Sequence, residues 1–314
     1  LLLKDDRIVS VGSCFAANVT PLIEGAGFHY VRTELLENEE QGFGYGRYSA
    51  GYGNVYTARQ LLQLLLRATG AFKPSDDRWR EAGRVIDLFR PGLSSPAEDD
   101  EEFNFITASH LARTLEAFSS ASVLIVTLGL TEAWASRVDG AVYPVCPGVV
   151  AGVFDESRYG FQNFSVSETV ADLRAALALL HSLNKDLRII LSVSPVHLAA
   201  TATSAHVLSA STYSKSVLRV ACEELCASVP GVRYFPAYEI INGPNVAEHF
   251  ESDLRTVSAR GVGAVAAALF AHSQTPAGSG VGLSGDEIAA RLSKALVRYE
   301  CEETLNDPES GLSL

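Results

Sequence analysis

Positive charge is scarce in this chain. It has 25 Lys and Arg against 37 Asp and Glu, a formal net charge of -12. A general nucleic-acid binder carries a basic stripe, and none is visible. The acidic balance also disfavours docking on anionic membranes. Long apolar runs are missing as well. No segment approaches the ~20 residues that a helix needs to span a bilayer, and the opening "LLLKDDR" is too short for a signal peptide. Cysteine is sparse, at Cys14, Cys146, Cys222, Cys226 and Cys301. An odd count in a chain of this size does not make a disulfide framework. Cys222 and Cys226 sit four apart among apolar neighbours and read as buried thiols rather than a metal clip. No cluster has metal-ligand spacing, and no Gly-rich turn of the dinucleotide or P-loop type occurs. Neither metal nor cofactor is expected. Methionine is absent altogether, which is odd enough that motifs carry more weight than the spacings between them. The expectation is a cytoplasmic protein with no nucleic-acid partner and no membrane span.

What is present is an alternating pattern. The 314 residues, 47 % of them hydrophobic, suffice for a large core. Solid β-branched runs at 7–11, 122–130 and 187–196 read as buried strands, with shorter candidates at 28–32 and 232–238. Amphipathic stretches at 16–27, 57–70, 107–121, 165–184, 211–229 and 258–273 read as helices. Ser165 and Glu168 form a capping-box signature, and Asp139-Gly140 predicts a β-hairpin turn. Strand and helix repeat about five times. This predicts an α/β fold, a doubly wound parallel sheet covered on both faces. The domain is expected to span 1–272. Its Gly/Tyr loop at 38–56 is too long for a simple connector. A mixed charged stretch at about 73–104 reads as an insertion or lid. Residues 273–314 read as a linker, a C-terminal helix and a tail, with the helix a candidate for homo-oligomer assembly.

In such folds the ligand binds at the carboxyl ends of the strands. Four polar segments fall there: "GSCFA" after the first strand, "TLGLTEAW" after the strongest, "SVSPVHLAATATSAH", and "YFPAYEI" with "ESDLRTVS". Cys14 stands at a strand-to-helix turn. A helix start favours an anion and presents backbone N–H groups to it, which suits a nucleophile that passes through an oxyanion. The bland alternative is a small cysteine packing the turn. Gly129, Thr131 and Glu132 offer close backbone approach and hydrogen bonding, or merely cap a turn. Gly53 and Asn54 are candidate oxyanion donors. His197 and His206 share a loop that should face the pocket. His249 is a weaker candidate, and His110, His181 and His272 fall in helices.

"VGSCFA", "TLGLTEAW", "SVSPV", "TYSKSVLR" and "YFPAYEI", in this order over about residues 7–270, resemble the GSCFA domain family, grouped with SGNH/GDSL hydrolase-like folds. The resemblance implies a flavodoxin-like, three-layer α/β/α domain of the SGNH hydrolase type. GDSL-type enzymes place their nucleophile third in a Gly-Asp-Ser triplet. Laid over Gly12-Ser13-Cys14, that register selects Cys14 over Ser13. The oxyanion blocks would correspond to Gly53/Asn54 and to Gly129 with Thr131, where Thr stands for the expected Asn. The last block, Asp-x-x-His, corresponds to Asp253-Leu254-Arg255-Thr256, so a Thr replaces the usual base. His206, with His197 in reserve, is the expected substitute.

The expected activity is acyl transfer, or ester or thioester hydrolysis, through an acyl-Cys14 intermediate. The substrate would be a small molecule, a sugar or a carrier-bound acyl group. The alternatives are a catalytically impaired binding module and an esterase that uses Ser13.

Overall fold

The computed structural model describes residues 1–35, 45–244 and 246–274. The linker, C-terminal helix and tail expected at 273–314, apart from its first two residues, lie outside the described residues. So do Cys301 and the early part of the 38–56 loop.

Five strands form one parallel sheet in the order β10-β9-β5-β1-β2: β1 (Arg7–Gly12), β2 (His29–Tyr30), β5 (Val123–Leu128), β9 (Arg188–Val193) and β10 (Val232–Tyr234). In chain order this is the flavodoxin-like 2-1-3-4-5 arrangement, with its switch point between β1 and β5. The strands are buried on both faces, so their side chains sort by alternation. Val9, Val11, Leu124, Val126, Ile189 and Leu191 face one helical layer. Ile8, Val123, Ile125 and Ile190 face the other.

The first layer holds α2 (Ala58–Ala68), α3 (Asp100–Ser120), α4 (Val166–Leu183) and α5 (Val207–Ser228). The second holds α1 (Cys14–Gly25), α6 (Ala237–Ile241) and α8 (Ala259–Ala271), with α7 (Val246–His249) packed against α8. Capping boxes start α2 at Thr57 with Gln60 and α4 at Ser165 with Glu168. Each satisfies backbone N–H groups that a helix start leaves over. Helix α3 begins earlier than the apolar pattern suggests. Asp99 caps it, and Asp100, Glu101 and Glu102 fill its first turn, where acids meet the positive end of the dipole.

The predicted hairpin forms. β6 (Glu132–Ser136) pairs antiparallel with β7 (Val142–Tyr143), and Gly140 turns between them at φ +72°. Strand β8 (Tyr159–Asn163) adds to its other edge, giving a small sheet beside the main one. The 73–104 stretch contains a second hairpin, β3 (Arg78–Glu81) with β4 (Arg84–Asp87). Its Trp79 and Leu88 pack on Tyr143 and Tyr159. The charged residues that suggested a loose lid alternate with buried ones, so this insertion has a core shared with the small sheet. Among the described residues, no helix is long and apolar enough to cross a membrane. Cys14, Cys146, Cys222 and Cys226 are free thiols. Burial pushes the Cys222 and Cys226 thiols up from their ordinary pKa.

Gly12 closes β1 at φ +154°, and a Cβ there would lie 2.3 Å from the Thr127 carbonyl oxygen. The contact is backbone on backbone in the sheet's centre, so nothing nearby can yield. Gly12→Ala is expected to cost about 3 kcal/mol, the upper range for overpacking. Urea unfolding measures it, and a loss under about 0.5 kcal/mol, the level of an ordinary surface change, would contradict the assignment.

Candidate active site

The end of β1 and the start of α1 meet at the switch point. The Ser13 N–H donates to the Thr127 carbonyl at 3.0 Å, which ties this turn to the end of β5. Ser13 is the N-cap of α1, yet its side chain makes no capping bond. Its hydroxyl is buried without a hydrogen-bond partner. Cys14 is the first residue of the helix and is buried. The N–H groups of a helix's first turn point out of its N-terminus, so an anion at Cys14 would meet that positive end.

Cys14 faces a small cleft of about 10 Å³, room for roughly one water. Ser13, Gly129, Ser194, His197 and Arg255 share its walls with Tyr56, Leu130 and Leu198. The last three also border a larger cavity of about 250 Å³, which includes Trp134, Phe161, Cys146 and Glu132 in its lining. Burial pushes the Cys146 thiol up to about 11, so it is protonated at neutral pH.

The two loop histidines part company. His197 lines the cleft, stacked on Phe250 at 5.5 Å between ring centroids. Its Nδ1 lies 3.3 Å from the Ser211 hydroxyl. Burial lowers its pKa below the ordinary 6.5. The charge of Lys215 adds to this, a hydrogen bond with Asn242 opposes it, and Arg255 lowers it further. The imidazole is therefore neutral at pH 7, as a general base must be. His206 is exposed at the N-cap of α5, where Nδ1 accepts the Leu208 N–H at 3.3 Å. It does not line the cleft. A polar loop residue just before a helix is a natural N-cap, and the spacing after β9 does not distinguish that role from a site-facing one. His249 is buried in α7 with Nδ1 3.1 Å from the Ile241 carbonyl.

Asp253 is exposed and contacts no histidine. It accepts the N–H groups of Arg255 and Thr256 at 2.9 and 2.8 Å and the Thr256 hydroxyl at 2.5 Å. These bonds hold Leu254 at φ +56°, a conformation that costs a non-glycine residue about 1 kcal/mol or more. The turn presents Arg255, whose Nε donates to the His197 carbonyl at 3.0 Å. Thr256 thus closes its own turn, and the neighbouring Arg255 enters the cleft.

The expected oxyanion residues mostly hold loops. Asn54 Oδ1 accepts the Tyr48 hydroxyl at 2.8 Å, and Tyr48 also bonds the Gly12 and Ser13 carbonyls. Gly53 takes φ +66°, with Tyr45 packed where a Cβ would be. Neither Gly53 nor Asn54 lines the Cys14 cleft. The Gly129 N–H donates to the Tyr56 carbonyl at 2.8 Å. The Thr131 N–H donates to the Ser214 hydroxyl at 2.8 Å, and its own hydroxyl donates to Asn163 at 2.6 Å. Glu132 accepts the Thr201 hydroxyl at 2.6 Å and the Ala202 N–H at 3.2 Å, which pins the loop that carries both histidines.

Lys215 and Arg255 are functional candidates that the sequence reading passed over. Lys215 is buried on α5, and its ammonium donates to the Gly129 carbonyl. A lysine on the inner face of an amphipathic helix was a signal in "TYSKSVLR", since Lys is rarely buried without a partner. Among the described residues, no group of three or more His, Cys, Asp or Glu side chains could hold a metal ion.

The GSCFA family matches the chain over residues 7–269. No curated protein sequence matches it. Among solved structures, a Clostridium thermocellum family 3 carbohydrate esterase is similar at 10% identity and a TM-score of 0.37. The match covers 85% of this chain and 94% of that one.

Proposed function

The chain belongs to the GSCFA family, and within it we propose an enzyme that transfers acyl groups, or hydrolyses esters or thioesters, through an acyl thioester on Cys14. The observation that carries this reading is that Cys14 and His197 line one cleft at the switch point. His197 takes the thiol proton as Sγ attacks the substrate carbonyl carbon and the C–S bond forms. Collapse of the tetrahedral adduct breaks the bond to the alcohol or thiol leaving group, which receives that proton from His197. Water or an acceptor alcohol or amine then attacks the thioester carbonyl as His197 takes its proton. Collapse breaks the C–S bond, releases the acid or acylated acceptor, and His197 returns the proton to the Cys14 sulfur. The N-terminus of α1 and the Arg255 guanidinium supply the positive field for each oxyanion. The 250 Å³ cavity receives the remainder of the substrate across Tyr56, Leu130 and Leu198.

Ser13 is the second reading. A buried hydroxyl without a partner in the same cleft is what an unoccupied nucleophile or oxyanion donor looks like. The two are separated by inhibitors. Iodoacetamide is expected to abolish turnover of an activated ester, with substrate protecting the enzyme. Insensitivity to iodoacetamide together with inactivation by a fluorophosphonate would move the nucleophile to Ser13.

A further inference from the structure

A second cavity lies away from the Cys14 cleft, under the Arg67 end of α2, with a volume of about 30 Å³. Its walls include Arg67, Arg90, His110, Asn54, Gln60 and Gln63. Hydrogen-bond donors are in excess there. Arg67 is 8% exposed. Its guanidinium sits 3.6 Å over the Phe89 ring centroid, and it has no hydrogen-bond or ion-pair partner among the described residues. Arg90 is 2% exposed and serves two carboxylates, Asp87 at 2.9 Å and Glu34 at 3.5 Å. Its Nη2 remains buried without a partner.

The acceptors nearby are already engaged. Besides Arg90, Glu34 takes the Gly51 N–H at 2.8 Å and lies 2.6 Å from His110 Nδ1. Gln60 Oε1 accepts the N–H groups of Tyr56 and Thr57 at 2.9 and 3.0 Å. Gln63 Oε1 accepts the Val142 N–H at 2.8 Å. Asn54 Oδ1 accepts from Tyr48. Burial lowers the His110 pKa to about 4, so this ring adds no positive charge at pH 7. Both acids pair with Arg90, and Asp87 also attracts Arg67 through space without an ion-pair contact to it. Arg90 Nη2, buried without an acceptor, carries a desolvation cost, and the Arg67 guanidinium borders the same cavity. The remedy that this cavity admits is a compact acceptor carrying one negative charge.

We propose that Arg67 and Arg90 form a buried binding site for a small monovalent anion of halide size. Its volume of about 30 Å³ suits a halide or a one-carbon carboxylate. The anion sits behind the Asn54–Tyr48 pair that braces Gly12 and Ser13, so it stiffens the floor of the Cys14 cleft without touching substrate. The site stands whether or not Cys14 is the nucleophile.

Thermal unfolding of the full chain tests it, at one concentration of sodium chloride, sodium formate or sodium gluconate. Chloride at about ten times its Kd is expected to raise Tm by roughly 2–4 °C over gluconate. The increment should vanish in Arg67→Gln and survive in part in Arg67→Lys. Crystals grown in bromide should show an anomalous peak between the two arginines, which keeps the test sharp even if Arg67→Gln folds poorly. A formate effect without a halide effect would identify a carboxylate as the ligand and overturn the halide assignment. Equal melting in all three salts, or density for waters only, would overturn the anion site.

Discussion

Cys14→Ala is expected to lower acyl turnover by at least about 10³-fold, the scale on which a covalent nucleophile acts. Steady-state kinetics with an activated ester measures this. The fold should survive, because one sulfur is removed from a cleft edge and not from the sheet's centre, and Tm should fall by only a few degrees. Cys14→Ser is expected to retain the fold and recover little activity, since a hydroxyl is a far weaker nucleophile than a thiolate. Ser13→Ala should keep most of the turnover, because the helix start and Arg255 remain. Full activity in Cys14→Ala with loss in Ser13→Ala would reverse the assignment. Loss in neither would leave a binding module.

His197→Gln is expected to cost about 10²–10⁴-fold in kcat/KM, the range for a general base. The pH profile carries more information than the size of the loss. The base works when neutral, so kcat/KM should rise with pH and level off above the His197 pKa. Burial and the Lys215 charge put that pKa below 6.5, so the half-maximum should fall below pH 6.5. Lys215→Met removes the cation and should move the half-maximum to higher pH. That shift separates an electrostatic role from simple support of the Gly129 carbonyl, whose loss would lower the rate at every pH alike. His206→Ala should leave the profile unchanged, because His206 caps α5 at the surface. A profile that follows His206 and ignores His197 would contradict the placement of the base.

The sheet was legible because its strands are continuous apolar runs and its helices are amphipathic. Those periodicities are local, and they located β1, β5 and β9 with α2 and α4 at nearly their observed bounds. Strand β8 was not legible, since "YGFQN" has neither a long apolar run nor clean alternation. It is a strand because β6 offers it an edge. The site divides the same way. Gly-Ser-Cys after a strand end places Ser13 and Cys14 at the switch point by local geometry. Which histidine reaches it depends on how the loop between β9 and α5 folds. That loop is set by Glu132 holding Thr201 and Ala202, contacts about 70 residues apart in the chain. Arg255 was hidden for a related reason. The Asp253 turn looks like a damaged catalytic motif in sequence, and it becomes a bracket for Arg255 once Thr256 is seen closing it.

The most direct test of the account is acid quenching of the full chain during turnover of an activated acetyl ester, followed by peptide mass mapping. One acetyl group is expected, labile to hydroxylamine as a thioester is, on the peptide holding Cys14 and absent from Cys14→Ala. An acetyl group on the Ser13 hydroxyl, or turnover with no acylated peptide under any quench time, would contradict it.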